Sequence, residues 1–146
     1  MDKNFEKSLK FVLRWEGFIT DDKDDPGKLT IWGISSKYNP KEVTEMKKLL
    51  DQGKKKEAFQ ICKNTYKKKY WDRLNCGAFQ YPFCLCIFDC AVIPGQGAAK
   101  KFRDKAGSWE DFMLRRIEYF SDKNNKKYIR GWVKRVIDLY KYIKKE

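Results

Sequence analysis

The sequence predicts a mainly α-helical protein with a small β-hairpin early in the chain. Several segments repeat apolar residues at the spacing of an amphipathic helix, whereas a short β-prone run stands out at residues 30–34. Hydrophobic residues make up 42% of the 146 positions, which is enough to fill the interior of one domain at this length. We therefore expect a single domain, residues 1–146, with about six to seven helices.

The first predicted elements are an amphipathic helix, a loop and the β-prone run. Apolar residues recur at helical spacing over residues 3–15, and Glu16 closes that helix. Residues 20–28 are acidic and contain a Pro-Gly pair, so we expect a loop there. The β-prone residues that follow are grouped around Gly33, which favours a short strand or a small hairpin.

Two helices are predicted in the middle of the chain. Asn39 as a cap, Pro40 at the first helical position and Glu42 in the first turn mark a helix start, and Gly53 marks the end of that helix. The next helix covers about residues 54–71, with aromatic and small residues facing inward and lysines facing outward.

The C-terminal half is predicted to be helical apart from short turns. Residues 83–92 are apolar on nearly every side and predict a central, buried helix. A helix that ends near Gly107 follows, and Ser108 with Asp111 forms the capping signature of the next helix. A last helix follows the loop 122–125, and its predicted inward-facing residues are Ile129, Trp132, Val133, Val136, Ile137, Tyr140 and Ile143.

The chain contains no histidine, which excludes several kinds of active site. Without imidazole there can be no Ser-His-Asp or Cys-His nucleophile and no mixed His/Cys zinc site. Chemistry based on carboxylates, lysine, tyrosine, cysteine or threonine remains. We expect no metal and no organic cofactor.

The five cysteines are odd in number and lie mostly among apolar residues. This pattern predicts reduced, buried thiols, because a free cysteine behaves as a small hydrophobic residue. The alternative is a thiolate metal site built from Cys76, Cys84, Cys86 and Cys90. The spacings of these four residues match none of the usual paired-cysteine zinc motifs.

The chain is strongly basic, and the excess charge lies towards its C-terminal end. The formal net charge is +13; residues 1–50 carry 10 basic and 9 acidic side chains, whereas residues 51–146 carry 23 and 11. Such an excess predicts a polyanionic partner, for which nucleic acid, an anionic membrane and bacterial cell wall all qualify. The alternative is a set of solvated, lysine-rich helix faces.

The sequence has neither the N-terminal pattern of a secretory signal peptide nor an apolar stretch of membrane-spanning length. We therefore expect synthesis in a cytosol. The longest apolar stretch, residues 81–93, is interrupted by Asp89, and a buried carboxylate needs a partner or a proton. We expect Asp89 to form a structural ion pair or a helix-cap bond; the alternative is a place on the floor of a cleft.

Three polar residues near the N-terminus stand apart from the solvated majority. Glu16 closes an amphipathic helix beside Trp15 and Phe18, Asp25 lies in the acidic loop, and Thr30 lies in the β-prone run. A loop folded back over the helix end would bring two carboxyl groups and a hydroxyl to one cleft, which is the equipment needed to hydrolyse a glycosidic bond. Asp25 and Thr30 also suit ordinary turn and strand positions, and the aspartates that could replace Asp25 as second carboxylate are Asp21, Asp22 and Asp24.

Four aromatic residues are candidates for stacking on sugar rings. They are Trp32, Tyr38, Tyr70 and Trp71. Because aromatic residues in a chain of this size commonly fill the core, we weigh core packing equally for each of them.

The polar constellation resembles glycoside hydrolase family 108. Residues 16–18 (Glu-Gly-Phe), 25–27 (Asp-Pro-Gly) and 30–35 (Thr-Ile-Trp-Gly-Ile-Ser) are similar to the family's Glu-Gly-Gly, Asp-x-Gly-Gly-x-Thr and Gly-Ile-Ser segments. The family's second glycine after Glu is Phe18 here, and its second glycine after Asp is Lys28.

The likeness continues along most of the chain. Residues 70–72 and 88–95 are similar to the family's Tyr-Trp and Phe-Asp-x-Ala-Val-Asn-x-Gly segments, and residues 131–136 resemble its Gly-Trp-x-x-Arg-Val ending. The resemblance implies a lysozyme-like α+β fold. It further implies a catalytic lobe over residues 1–75 and a helical lobe over residues 76–146 that resembles a peptidoglycan-binding region.

The resemblance implies an N-acetylmuramidase that cleaves the β-1,4 bond between N-acetylmuramic acid and N-acetylglucosamine. Glu16 would be the general acid, Asp25 the base or stabiliser, and Thr30 a water-orienting hydroxyl. Family members act in phage lysis or protein release, so we expect a monomer that reaches bacterial peptidoglycan by holin-type or secretion-linked release, with no obligate nucleic acid partner. The alternatives are a lytic transglycosylase and a non-catalytic basic helical binder of cell wall or nucleic acid.

Overall fold

The computed structural model of the chain describes residues 2–21, 29–122 and 126–145 and confirms the mainly α architecture with an early sheet. The described part contains seven α-helices and three β-strands, and a π-helical turn, Lys67–Asp72, extends the third helix. The elements are α1 (Lys3–Glu16), β1 (Ile19–Asp21), β2 (Leu29–Ile31), β3 (Ile34–Ser35), α2 (Pro40–Asp51), α3 (Lys55–Tyr66), α4 (Phe83–Val92), α5 (Gln96–Lys105), α6 (Trp109–Ser121) and α7 (Lys126–Lys144).

The chain divides into two compact units. One unit comprises residues 9–69, and the other comprises residues 1–8 together with residues 70–146. We call them the sheet unit and the helical unit. The functional division into residues 1–75 and residues 76–146 remains a prediction.

The sheet unit contains a three-stranded antiparallel sheet in the order β1-β2-β3. A two-residue turn joins β2 to β3, and Trp32 and Gly33 both have positive φ in it (50° and 81°), as the tightest hairpin turns require. The predicted hairpin is therefore confirmed. The predicted loop at residues 20–28 was wrong at Thr20 and Asp21, and residues 22–28 lie outside the described residues. Thr20 and Asp21 belong to β1, because backbone pairing with β2 outweighs their local acidic, turn-like composition.

The start of α2 uses the predicted residues in an unexpected way. Asn39 occupies the cap position before Pro40, but its side chain makes no capping hydrogen bond. Its Oδ1 instead accepts a hydrogen bond from Lys69 Nζ at 2.6 Å, and the same ammonium lies 2.6 Å from Glu42 Oε2. The hydrogen bond from Lys69 holds the pKa of Glu42 below its usual range. The cap residue thus ties α2 to the π-helical turn.

The core of the helical unit is built around α4, which is buried on all sides as predicted. Phe5, Trp71 and Phe88 pack in mutual edge-to-face contacts with ring centroids 5.4–5.8 Å apart. Such pairs add to the free energy gained from burying the rings themselves.

Asp89 forms the predicted structural ion pair, with two partners from different helices. Arg116 Nη1 of α6 donates to Asp89 Oδ2 at 2.7 Å, and Arg135 Nη2 of α7 donates to Asp89 Oδ1 at 2.7 Å. Burial alone would raise the pKa of Asp89, but the two guanidinium groups outweigh it and hold the pKa below its usual value. Arg116 also donates to the carbonyl oxygen of Ile93 at 2.6 Å.

Helices α6 and α7 are present as predicted, with one difference in which residues face inward; residues 123–125 of the predicted loop between them lie outside the described residues. Ser108 caps α6 as predicted, because its Oγ accepts a hydrogen bond from the Asp111 backbone N–H at 3.1 Å. Ile137 and Tyr140 of α7 were predicted to face inward, but they are 47% and 46% exposed. The buried stripe is narrower than the apolar pattern and consists of Val136, Leu139 and Ile143 with Arg135.

Trp132, predicted as a core residue, is half-buried between two other rings. Its indole stacks on Phe120 at 5.0 Å and on Tyr128 at 5.8 Å between centroids.

All five cysteines are free and buried, as predicted. Burial raises the pKa of Cys62 and of Cys90 to about 12 and that of Cys84 to about 11. The four cysteines of the alternative thiolate site do not converge: in residues 2–21, 29–122 and 126–145 no three His, Cys, Asp or Glu side chains are placed to hold a metal ion. Among the described helices, none combines the length and the apolar composition that a membrane span requires.

Candidate active site

The candidate acid Glu16 is the last residue of α1 and is half-buried. Gly17 follows it with a φ of +70°, and the Gly17 N–H donates to the Leu13 carbonyl at 3.3 Å. A glycine in this left-handed conformation ends a helix at little steric cost. The carboxyl group is therefore carried on a rigid helix end, directly before the chain turns into β1.

The β2–β3 turn packs against the Glu16 side chain. A Cβ atom added at Gly33 would lie 2.8 Å from both Cβ and Cγ of Glu16 and 2.6 Å from the Tyr66 hydroxyl oxygen. These distances are too short for any side chain, so glycine is required here by close approach as well as by its φ of +81°. The contact places Glu16 beside the sheet.

The turn that supports Glu16 is held from two sides. The Trp32 N–H donates to the carbonyl oxygen of Phe18, and the Trp32 carbonyl oxygen accepts a hydrogen bond of 2.6 Å from the Tyr66 hydroxyl. Tyr66 is only 1% exposed, so this hydrogen bond is shielded from water. Helix end, turn and α3 therefore form one connected support for the Glu16 side chain.

Thr30 occupies the middle of β2 and lies in a row of hydroxyl side chains. It is directly opposite Thr20 on β1 and Ser35 on β3, and directly paired residues place their side chains on the same face of a sheet. The Thr30 hydroxyl donates to the Thr20 carbonyl oxygen at 3.4 Å, which is long for a hydrogen bond. The weak bond leaves the hydroxyl able to reorient towards a water molecule or a sugar.

Comparison with known proteins assigns this arrangement to a family. Residues 9–95 match the family described as Glycosyl hydrolase 108, and this interval covers Glu16, the whole sheet and Asp89. The chain belongs to glycosyl hydrolase family 108. It is therefore a glycoside hydrolase, and the family supports peptidoglycan hydrolysis of the lysozyme type.

The family 108 enzyme has the fold of a solved bacterial protein. It superposes on the structure of Brucella abortus SagA with a TM-score of 0.71 and 18% sequence identity, covering 95% of this chain and 92% of that chain. This likeness confirms the lysozyme-like fold. A comparison with curated proteins finds no match. The family match ends at residue 95, so peptidoglycan binding by residues 76–146 remains a prediction.

Four aspartates are candidates for the predicted second carboxylate: Asp21, Asp22, Asp24 and Asp25. Asp25 lies outside the described residues, as do Asp22 and Asp24. Asp21 is described: it is exposed at the end of β1, one residue beyond Thr20. It is therefore the alternative second carboxylate whose place on the sheet is known.

The four predicted sugar-stacking residues differ in exposure. Trp71 is 2% exposed with its ring packed on Phe5 and Phe88, which gives it the core packing that was weighed as its alternative role; a sugar contact of Trp71 stays a prediction. Trp32 is 8% exposed and packs on two other aromatic rings, which also gives it a packing role. Tyr38, which is 74% exposed, and the half-buried Tyr70 remain predicted sugar contacts.

The sequence analysis placed Trp15 and Phe18 beside Glu16 but did not name them, or Ile19, as sugar contacts. Trp15, Phe18 and Ile19 are 37%, 39% and 52% exposed, and Lys55 Nζ lies 4.6 Å from the centroid of the Phe18 ring. Two aromatic rings that are each more than one third exposed, and that lie close to a candidate acid in the chain, suit stacking on a sugar. The signal was present in the sequence as one apolar residue in the last turn of an amphipathic helix and two shortly after it.

Proposed function

We propose that this glycoside hydrolase is an N-acetylmuramidase, which cleaves the β-1,4 bond between N-acetylmuramic acid and N-acetylglucosamine in peptidoglycan. The observation that supports the proposal is the close packing of the Glu16 side chain against the backbone of Gly33 in the β2–β3 turn. Both residues lie in the interval, residues 9–95, that matches the family. An acid that protonates a glycosidic oxygen must be held in a fixed position, and this contact holds it.

Glu16 acts as the general acid. Hydrolysis begins when a carboxylic acid donates its proton to the oxygen that leaves the sugar ring. Glu16 is half-buried at the end of α1, where Gly17 in its left-handed conformation ends the helix. The backbone of Gly33 restricts the positions open to the Glu16 side chain on one side.

Thr30 and a loop carboxylate act on the other side of the sugar. Thr30 orients a water molecule, and Asp25 serves as the base or the stabiliser; Asp21 is the alternative to Asp25. If the carboxylate and the hydroxyl hold a water molecule across the ring, the anomeric configuration is inverted.

Aromatic side chains that are at least partly exposed bind the glycan chain. Tyr38 and Tyr70 are the sugar contacts taken from the sequence, and Trp15 and Phe18 are added because they lie close to Glu16 in the chain and are each more than one third exposed. The enzyme works as a monomer without a cofactor. It is made in the cytosol and reaches the wall by holin-type or secretion-linked release, in phage lysis or in protein release.

The products of peptidoglycan digestion test the bond and the reaction type. We expect mass spectrometry of wild-type digests to show muropeptides with a reducing N-acetylmuramic acid end. Anhydro-muramic ends would instead make the enzyme a lytic transglycosylase, and reducing N-acetylglucosamine ends would place the cut at the other bond. Either of these results contradicts the proposal.

Variants of the loop and the sheet test the individual roles. We expect Asp25→Asn to lower the hydrolysis rate about a hundredfold or more and Thr30→Val to lower it about tenfold, in line with the usual effects of acid–base and positioning groups. Asp21→Asn is the matched control. If Asp21→Asn is the variant that loses activity, the second carboxylate is Asp21 and the role of Asp25 is contradicted.

A further inference from the structure

Helices α6 and α7 of the helical unit leave a groove open to solvent whose lining is mostly apolar and also contains Glu110 and Lys141. Its volume is about 490 Å³. Met113 and Val136 form part of its floor and are buried, whereas Leu114, Ile137 and Tyr140 are 65%, 47% and 46% exposed. A cluster of exposed apolar side chains indicates an interaction surface, whereas single exposed apolar residues are common on any protein.

The exposed side of α7 is also strongly cationic. The helix carries seven Lys or Arg side chains against the single carboxylate of Asp138. One of the seven, Arg135, points inward to Asp89. Five exposed cations lie on the same side of α7 as Ile137, because the number of residues between each of them and Ile137 is close to a whole number of helical turns. They are Lys127, Arg130, Lys134, Lys141 and Lys144.

Aromatic rings lie at the edge where the groove meets these cations. Trp109 and Tyr140 are 5.9 Å apart between ring centroids, and Lys144 Nζ lies 5.7 Å from the centroid of each. Indole and phenol rings next to lysines, beside exposed aliphatic side chains, are the arrangement favoured at the boundary between lipid headgroups and acyl chains.

We propose that this surface, made of Leu114, Ile137, Tyr140 and the five cations of α7, binds the anionic phospholipid face of a membrane. The apolar side chains enter the headgroup boundary while the lysines and arginine neutralise lipid phosphates. Charge favours the anionic membrane over a second copy of the chain. Two such surfaces facing each other would bring their cations together, and like charges repel. Nucleic acid would use the cations but leave Leu114 and Ile137 in water.

Vesicle binding by the intact protein tests the proposal without peptidoglycan, so its outcome is independent of the hydrolase activity. The measurement is co-sedimentation with phosphatidylethanolamine vesicles that contain about one quarter phosphatidylglycerol, compared with phosphatidylcholine vesicles, at about 0.1 M salt. We expect binding to the anionic vesicles and at least about tenfold weaker binding to the neutral ones.

Two pairs of variants separate this surface from general basicity. The first double variant, Lys134→Gln with Lys141→Gln, should weaken binding about 25-fold, because each cation near an anionic surface contributes about fivefold. Its charge-matched control is the double variant Lys100→Gln with Lys101→Gln on α5. Ile137→Ser should weaken binding severalfold, and Ile19→Ser, at a similarly exposed isoleucine in the sheet unit, should not. All these side chains are exposed, so the variants keep the fold.

Four results would overturn the proposal. They are no binding to anionic vesicles, equal binding to neutral vesicles, equal losses in the control and test variants, and retention on DNA through the same residues without vesicle binding.

Discussion

At the scale of single residues, Gly33 explains how the candidate acid is held. It is the point where the β2–β3 turn, the Glu16 side chain and the Tyr66 hydroxyl meet within the sheet unit. The turn needs a residue that tolerates positive φ, and the close approach needs one without a Cβ atom. The sequence marks both Gly33 and Glu16, but their contact depends on the path of the chain between them and could not be read from spacing alone.

Substitution of Gly33 should disturb both stability and activity. In Gly33→Ala the added methyl group meets Glu16 and Tyr66, so we expect the free energy of unfolding to fall by about 3 kcal/mol and the hydrolysis rate to fall at least about tenfold. Gly53→Ala is the matched control, since Gly53 has a φ of +74° and no atom within 4 Å of the added Cβ. It should lose only about 1 kcal/mol and keep its activity. Equal effects in urea unfolding and in turnover would contradict the account.

Removal of one hydroxyl should loosen the turn. Tyr66→Phe deletes the hydrogen bond to the Trp32 carbonyl and leaves that buried acceptor unpaired, which costs about 1–3 kcal/mol. We expect a lower kcat with little change in KM, because the support of the acid is weakened rather than the sugar contacts. A change confined to KM would show that Tyr66 does not act through Glu16.

At the scale of elements, one buried carboxylate connects three helices of the helical unit. Asp89 of α4 binds Arg116 of α6 and Arg135 of α7, and all three side chains are at most 5% exposed. The sequence predicted that Asp89 needs a partner, because a charge in an apolar helix cannot stand alone. It did not identify which cations serve, since basic residues are abundant in this chain.

Loss of the Asp89 charge should destabilise the fold strongly. Asp89→Asn leaves two guanidinium groups buried without their counter-charge, so we expect the free energy of unfolding to fall by about 3–5 kcal/mol in denaturant titrations. Asp51→Asn breaks the exposed pair with Lys47 and should change it by less than about 1 kcal/mol. If the two variants lost similar amounts of unfolding free energy, the buried cluster would contribute no more to stability than an exposed ion pair.

The same cluster predicts how stability depends on pH. The folded-state pKa of Asp89 lies below its unfolded value, so the folded state binds fewer protons there. Its contribution is complete above the unfolded pKa and is lost as the pH falls through the folded pKa. We therefore expect acid to lower the Tm of the wild type more steeply than that of Asp89→Asn. Parallel Tm curves below the usual aspartate pKa would contradict this linkage.

Strand β1 shows where local sequence patterns fail at this scale. Thr20 and Asp21 belong to an acidic stretch that favours a loop, but they pair with Thr30 and Leu29 in the sheet. Helices such as α4 and α6 were predictable because their signals, an apolar run and a capping serine, are local. A short edge strand depends on a partner strand, so its own residues carry little of the information.

At the scale of the whole molecule, the positive charge is shared by both units. The sheet unit carries 15 basic and 9 acidic side chains, and the helical unit carries 18 and 11. Residues 1–50 and residues 51–146 differ in net charge because the lysines of α3 and its π-helical extension come after residue 50, although they belong to the sheet unit. Both units therefore attract anionic polymers, and specificity must come from their local sites.

Burial of all five thiols predicts a chemically quiet native protein. With the pKa of Cys62 and Cys90 raised to about 12, almost no thiolate is present near pH 8. We expect a disulfide reagent at that pH to label no cysteine in the native protein and all five in denaturant. Rapid native labelling would contradict the buried, reduced state.

The proposed role of Glu16 as the general acid of a muramidase is tested by replacing its carboxyl group. The most direct measurement is the release of reducing ends from purified peptidoglycan by the wild type, by Glu16→Gln and by Glu45→Gln, an exposed glutamate on α2 that serves as the control. We predict that Glu16→Gln retains the wild-type unfolding curve and loses activity at least about a hundredfold, while Glu45→Gln remains fully active. Wild-type turnover by a folded Glu16→Gln protein would show that Glu16 is not the general acid.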